Sequence, residues 1–312
     1  MSVNSSPPES TGAARPRLPE ASAPVPTAAN GKASASVVIP AHNEAQVISR
    51  LLESLAPVSG MLHIVVACNG CVDDTAAIAR QHGADVVETG IPSKTAALNA
   101  GDDAAAVFPR LYIDADVTLS ATTVADLVRA FADPGVLCAA PPFRIELQHC
   151  HWLVRTYYAI WLRLPYLRDA YVGSGIYALS AAGRARFDKF PAIIADDLFI
   201  RNLFSRSERR IVTTEPFVIR APRTLSALYR RRVRINVGNL ELLSHPEWGR
   251  LQGSAESSAP WWLVPLKKPH LIPAAIVYAA INLVALVEAR WRLARRTRVD
   301  WARDNTTRSP AK

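Results

Sequence analysis

No second close cysteine pair accompanies Cys68 and Cys71; the other two cysteines, Cys138 and Cys150, stand alone in the sequence. A zinc ribbon needs two such pairs, or a Cys/His pair at short spacing, and the adjacent His149, Cys150 and His151 do not supply one. A redox C-x-x-C normally opens a helix. Here "VDDTAAIARQHG" follows, with Asp73 as the expected N-cap, so the two cysteines are placed in the loop before the helix as small packing residues. Such cysteine use fits a reducing cytoplasm. The N-terminus lacks a basic stretch followed by an apolar one, so no secretory signal is expected. No internal repeat is present. No G-x-G-x-x-G follows an early strand, which argues against a dinucleotide-dependent dehydrogenase. No nucleic-acid module is recognisable, so the net charge of +9 is not read as a nucleic-acid footprint.

What is present is enough for a large core: 49% of the 312 residues are apolar. Residues 1–34 are rich in Ser, Pro, Ala and Thr without apolar periodicity and are expected to form a disordered tail. Order is expected to begin at "SASVVIPAHNEAQVISRLLESL", a buried strand ending at Pro40 and then a helix with apolar positions Val47, Ile48, Leu51, Leu52 and Leu55. Strand and helix then alternate: "LHIVVA", "DDTAAIARQHG", "ADVVE", "SKTAALNAGDDAA" capped by Ser93, "RLYIDAD", "SATTVADLVRAFAD". This alternation predicts an α/β fold with a mostly parallel sheet covered by helices on both faces, whose ligands sit at the carboxyl ends of the strands. Beyond Ala140 the pattern weakens into "FRIEL" (strand), "CHWLVRTYYAIWLRL" (aromatic helix), "YVGSGIYALS" (strand with Gly173, Ser174 and Gly175), "ADDLFIRNLFS" (helix) and "RTLSALYRRRVRINVGNLELL" (basic helix).

Asp114 and Asp116 close the strand "LYI". Alternate residues of a strand face the same way, so both carboxylates are expected to address one site, where hard oxygen ligands suit Mg²⁺ or Mn²⁺ held jointly with a diphosphate. A solvated turn is the alternative.

With these segments in order, residues 36 to about 240 resemble the family 2 glycosyltransferases of the GT-A, Rossmann-like fold. "VVIPAHNEA", "NGCVDDTAAIA", "SKTAALNAG", "YIDADV", "ADDLFI" and "YRRRVR" carry the resemblance. It implies a nucleotide-sugar site formed by Pro40, His42, Glu44, Asn69, Lys94, Asp114, Ala115 and Arg231, with Asp116 on the metal. It implies Asp197 as the base that deprotonates the acceptor in an inverting transfer, with Asp196 beside it. Asn69 stands where the family usually has Asp, and Asp196 where it has Glu, which leaves the base and the choice between the two carboxylates open. Glu44 has the alternative of a charge in a first helical turn, Asp73 and Asp74 that of capping, and the arginine run that of a basic face on anionic lipid.

"LIPAAIVYAAINLVALV", residues 271–287, carries no charge and falls just short of the roughly 20 residues of a comfortable span. Trp261, Trp262, Lys267 and Lys268 precede it and Arg290, Trp291, Arg292, Arg295 and Arg296 follow, as interfacial anchors do. A single span, a helix lying in the interface and a helix packed on the catalytic domain all fit. The expected organisation is a tail (1–34), a catalytic domain (35–245) and a membrane-associated segment (246–312) on the cytoplasmic side of the membrane. The expected acceptor is lipid-linked or a glycan, as in polysaccharide biosynthesis. A nucleotidyltransferase, which would have a glycine-rich basic loop after its first strand, and a non-catalytic membrane scaffold on the same fold are the rivals.

Overall fold

The computed structural model describes residues 33–164, 167, 173, 175–249 and 260–295. The expected tail over residues 1–32, Ser174 and Arg296 lie outside the described residues.

The chain lays down β1 (Ala35–Ala41), α1 (Ile48–Leu55), β2 (Leu62–Asn69), α2 (Thr75–Gln81), β3 (Asp85–Thr89), α3 (Lys94–Ala104), β4 (Arg110–Ile113) and α4 (Ala121–Arg129). Then follow β5 (Cys138–Ala140), β6 (Phe143–Glu146), α5 (Trp152–Trp161), β7 (Ile176–Leu179), α6 (Ala181–Arg184), α7 (Asp196–Leu203), β8 (Arg209–Ile211), β9 (Phe217–Arg220), α8 (Leu225–Ser244), α9 (Leu263–Lys267) and α10 (Ile272–Ala294). A seven-stranded sheet runs β3-β2-β1-β4-β7-β5-β8, and β6 pairs with β9 in a separate parallel ribbon. β7 runs antiparallel to both its neighbours; the other pairings in the large sheet are parallel.

β1 is buried along its whole length, because both faces of the sheet are covered. Alternate side chains of a strand point to opposite faces. Val37 and Ile39 accordingly join a core with Leu51, Leu55, Val124 and Leu127, whereas Val38 joins a second core with Leu98, Tyr112, Tyr177 and Phe199. Helix α3 presses close to the sheet at Gly101, where a Cβ would lie 2.6 Å from Val38 Cγ1. Asn99, two residues earlier, accepts from Phe190 N (2.8 Å) and donates to Phe190 O (3.1 Å). That pair ties α3 to the loop that leads into α7.

Several local expectations change. The first strand runs through Pro40 to Ala41. Asn43 adopts φ 51°, a left-handed conformation that Asn tolerates, and its Oδ1 accepts from Val72 N at 2.7 Å, so this turn is braced against the C-x-x-C loop. Helix α1 begins only at Ile48 and has no acidic residue in its first turn; Glu44 is therefore not a first-turn charge. Asp74, not Asp73, occupies the N-cap position of α2, without a side-chain cap bond. Asp73 instead accepts from Thr75 Oγ1 (2.5 Å) and Thr75 N and Ala45 N (each 3.2 Å). Ser93 and Ser120 cap α3 and α4 through their side chains. The aromatic helix starts at Trp152. The short strands β5, β8 and β9, three or four residues each, were too brief to show a period.

The C-terminal apolar helix is longer than its uncharged stretch: α10 continues through Glu288, Arg290 and Arg292. Glu288 accepts from Tyr229 of α8 and pairs with Arg292, which keeps this charged turn helical. Ala274, Ala275 and Tyr278 pack with Tyr157 of α5 and Leu228 of α8, and Ala285 and Ala289 pack with Val233 and Val237. Small residues along this stripe let the helices approach closely.

Candidate active site

The carboxyl ends of β1, β2 and β4 open on the same side of the sheet, as parallel strands require. β4 stops at Ile113, and Asp114 to Val117 form a turn closed by Val117 N donating to Asp114 O at 3.1 Å. The D-x-D pair therefore sits on a turn beyond the strand, and strand alternation does not aim its carboxylates. Asp114 N bonds Gly175 O (2.8 Å), one residue beyond the Ile113–Ile176 pair and in register with the antiparallel β4–β7 ladder. Gly175 has φ +93°, and a Cβ there would stand 3.1 Å from Asp114 Oδ2; only glycine fits this approach without strain. Asp114 is half-buried, Ala115 buried and Asp116 exposed.

Lys94, the first residue of α3, gathers the site. Its Nζ lies 2.8 Å from Asp114 Oδ1 and 3.0 Å from Asp196 Oδ2. The second contact is an ion pair, and among the described residues Asp196 Oδ2 makes no hydrogen bond of good geometry. Burial works against the Lys94 charge, but Asp114, Asp196 and Asp197 outweigh it and hold the ammonium well above its ordinary pKa. Asp196 moves the same way for a different reason. Burial pushes its carboxyl up to about 6, Lys94 opposes, and Asp197 and Asp114 add to the rise. The two carboxylates at the front of α7 thus differ: Asp196 is 3% exposed, while Asp197 is half-buried and accepts from Leu198 N at 2.9 Å.

Arg234, a member of the arginine run read from the sequence, and Tyr177, which the sequence did not single out, join them. Arg234 of α8 is held below its ordinary pKa, first by burial and then by Arg231, with Asp114, Asp197 and Asp196 opposing. It therefore lies within electrostatic range of all three carboxylates, on the same helix face as Arg231 three residues before; that spacing was the available signal. The Tyr177 hydroxyl is buried, has no hydrogen-bond partner among the described residues, and lies within range of Asp196 and Asp114. A tyrosine inside an apolar strand gives no sign of this.

The ends of β1 and β2 form a second group. His42 Nδ1 lies 2.5 Å from Asn69 O. Glu44 is buried, and its N–H donates to Thr75 Oγ1 at 2.7 Å. Pro40 is buried within β1. Asn69 is fully buried, and among the described residues neither polar atom of its side-chain amide has a hydrogen-bond partner; the Oγ1 of Thr89, its neighbour across to β3, is likewise unpaired there. Cys68 and Cys71 are free thiols. Burial, then Cys71, pushes the Cys68 thiol up to about 12, and Cys71 Sγ donates to Ala41 O (3.4 Å) and accepts from Asn43 N (3.3 Å). Among the described residues no group of three or more His, Cys, Asp or Glu side chains is arranged to cage a metal ion.

Residues 36–189 match the sequence model of glycosyl transferase family 2. No curated protein matches the chain in sequence. Among solved structures, a mannosyltransferase of Pyrobaculum calidifontis in complex with GDP-Man and Mn²⁺ superposes with a TM-score of 0.60 at 18% identity, over 85% of this chain and 88% of that one. Glucosyl-3-phosphoglycerate synthase of Mycobacterium tuberculosis aligns at 25% identity over 65% of this chain and 78% of that one, with a TM-score of 0.48. Its complex with Mn²⁺, UDP and glucosyl-3-phosphoglycerate aligns at 26% identity and a TM-score of 0.37, over 47% of this chain and 56% of that one. The sheet with its covering helices is the GT-A fold, and residues 36–189 form a glycosyl transferase family 2 domain.

Proposed function

We propose that this glycosyltransferase moves a sugar, with inversion, from a nucleoside diphosphate donor to a lipid-linked or glycan acceptor at the cytoplasmic face of a membrane. The observation that carries the reading is the convergence, through Lys94, of the D-x-D turn after β4 and the two aspartates opening α7.

The nucleobase is read at the ends of β1 and β2. Asn69 offers an unpaired donor and acceptor, the complement of a base edge, and burial without partners is costly until such a ligand engages it. His42 and Glu44 flank it, and Asp114 faces the ribose. Arg231 and Arg234 suit phosphate oxygens, because guanidinium forks bind them with charge-assisted hydrogen bonds. The donor set also suits a divalent cation that arrives with the diphosphate: Asp116 is an exposed hard ligand on the same turn, and an all-protein cage is not what Mg²⁺ or Mn²⁺ requires. When bound, the ion neutralises charge on the departing diphosphate. The structural neighbours solved with Mn²⁺ agree with this choice.

Asp197 takes the acceptor proton. Burial raises the Asp196 carboxyl to about 6, but it is buried against Lys94, whereas Asp197 is the more accessible of the two. Negative charge at a helix start is favoured by the helix dipole, so the pair is tolerated there before any substrate binds.

Membrane attachment rests on α10, which is long and apolar enough to cross a bilayer by length and composition. Its outward face exposes Ile276, Leu283, Val284 and Val287, and basic residues flank both ends. The test of function is a panel of nucleoside diphosphate sugars with Mn²⁺ or Mg²⁺. One donor should raise the melting temperature in a cation-dependent way and be hydrolysed slowly without acceptor. If no donor does either, the reading fails.

A further inference from the structure

Helix α10 presents two different stripes along its whole length. On one side Ala274, Ala275, Tyr278, Ala285 and Ala289 are buried, packed on Tyr157 of α5 and on Leu228, Val233 and Val237 of α8. The bond from Tyr229 to Glu288 fastens the last turns to α8. On the other side Ile272, Ile276, Leu283, Val284, Val287 and Trp291 are half or more exposed. The groove between α9 and α10, lined by Trp262, Leu266, Ile276 and Leu283, carries this apolar surface onto α9.

A continuous exposed apolar surface marks a contact, and the charges around it indicate the occupant. Lys267 and Lys268 lie exposed at one end and Arg290 and Arg295 at the other, with Trp262 and Trp291 half-exposed beside them. Across residues 260–295 the one acidic side chain is Glu288, which Tyr229 and Arg292 hold. Tryptophan and cationic side chains at both ends of an apolar stripe suit the headgroup region of an anionic bilayer. A second copy seated on the stripe would instead bring basic ends onto basic ends.

The helix is long enough to cross a bilayer, but its packing opposes crossing. The buried stripe from Ala274 to Ala289 follows α5 and α8 for about 22 Å at the helical rise, most of the roughly 30 Å of a hydrocarbon core. Crossing would either strip α10 from both helices or draw α8, with Arg230, Arg231, Arg232 and Arg234, into hydrocarbon, where such charges are costly.

We infer that α10 lies in the plane of an anionic membrane surface without crossing it, its outward stripe sunk at the boundary of headgroups and acyl chains. The inference rests on the membrane attachment proposed above and specifies its geometry. Helix α8 links this surface to the active site. It packs on α10 through Val233 and Val237, and at Gly238 it passes so close to the start of α7 that a Cβ would lie 3.0 Å from Ala195 N. Two helix diameters, about 20 Å, thus separate the catalytic aspartates from the bilayer.

The test uses the full chain with a nitroxide attached at Ile272→Cys, Leu283→Cys or Ala294→Cys, exposed positions at elevenfold spacing on one helix face. The background is Cys71→Ser, the other native thiols being buried. On vesicles of phosphatidylcholine and phosphatidylglycerol, relaxation by oxygen and by a nickel chelate should report one shallow depth for all three labels. Ile276→Glu combined with Leu283→Glu should weaken vesicle binding about tenfold or more and leave the melting temperature unchanged. Lys267→Gln combined with Lys268→Gln should weaken binding to these vesicles but not to phosphatidylcholine alone. A label at position 283 much deeper than those at 272 and 294 overturns the inference and leaves membrane attachment standing. Absence of binding to either vesicle overturns both. Equal affinity for the two vesicle compositions also overturns the inference, as does a dimer in vesicle-free buffer that the paired glutamate substitution dissolves.

Discussion

Lys94 Nζ, at the start of α3, lies 3.0 Å from Asp196 Oδ2, at the start of α7. Two segments separated in the chain by three strands of the large sheet, β4, β5 and β7, meet in one ion pair. The same ammonium holds Asp114 at 2.8 Å, so one cation separates two carboxylates that would otherwise repel.

Lys94→Gln should therefore destabilise the fold as well as the site. Removing one partner of a fully buried pair costs roughly 3–5 kcal/mol. Lys94 keeps 23% of its side chain exposed, so a loss of about 2–3 kcal/mol is expected. Urea unfolding at neutral pH measures it, and a stability within error of wild type would show that the pair is incidental.

The raised pKa of Asp196 sets a pH dependence. Its folded-state value of about 6 exceeds the ordinary 3.8, so folding favours the protonated form. That contribution is fully present in acid and is lost as pH rises through the folded-state value. Lys94, raised above its ordinary value, stays charged across this window. The stability of wild type relative to Asp196→Asn should decline between about pH 4 and 6. Melting curves across that range are the measurement, and a constant difference would refute the shift.

Asp197 should separate binding from chemistry. Asp197→Asn should bind nucleoside diphosphate normally and transfer roughly 10²–10⁴-fold more slowly, the range of a lost general base. Asp196→Asn should do less to the transfer step. The reverse ranking in single-turnover assays would reassign the base.

Arg234 should matter to the donor more than its exposed neighbour Arg230. Arg234→Gln is expected to weaken nucleoside diphosphate binding by roughly ten- to hundredfold, the loss of one or two charged hydrogen bonds, and Arg230→Gln by far less. Asp116→Asn should remove the cation-dependent part of the same affinity. Titrations with and without EDTA read both effects, and identical isotherms for all variants would remove these residues from the site.

Much of the fold was legible because its signals are local. Val37, Val38 and Ile39 mark a strand, the Ile48–Leu51–Leu52–Leu55 spacing marks one helix face, and Ser93 and Ser120 mark two helix starts, each within a few residues of chain. The ordered motifs likewise placed Lys94, Asp114 and Asp196 near strand ends or helix starts. Local signals also misled at the turns. Asp114 and Asp116 read as the end of a strand, but only Asp114 keeps the register of the β4–β7 ladder, through its N–H to Gly175 O, and the bond from Val117 N to Asp114 O then turns the chain.

Chain order and periodicity by themselves determined a parallel α/β sheet with an acidic pair at one end and an apolar helix at the carboxyl terminus. Tertiary structure alone decided which charges meet. A helix face shows that Arg231 and Arg234 share a side and that Arg232 points elsewhere, but not what lies opposite. The neighbours come from α5, α7 and α10, whose packing depends on buried contacts between distant segments. For the same reason only the folded chain shows Asp196 buried and its neighbour Asp197 more open: burial is a property of the surroundings, and two adjacent aspartates in a sequence look alike.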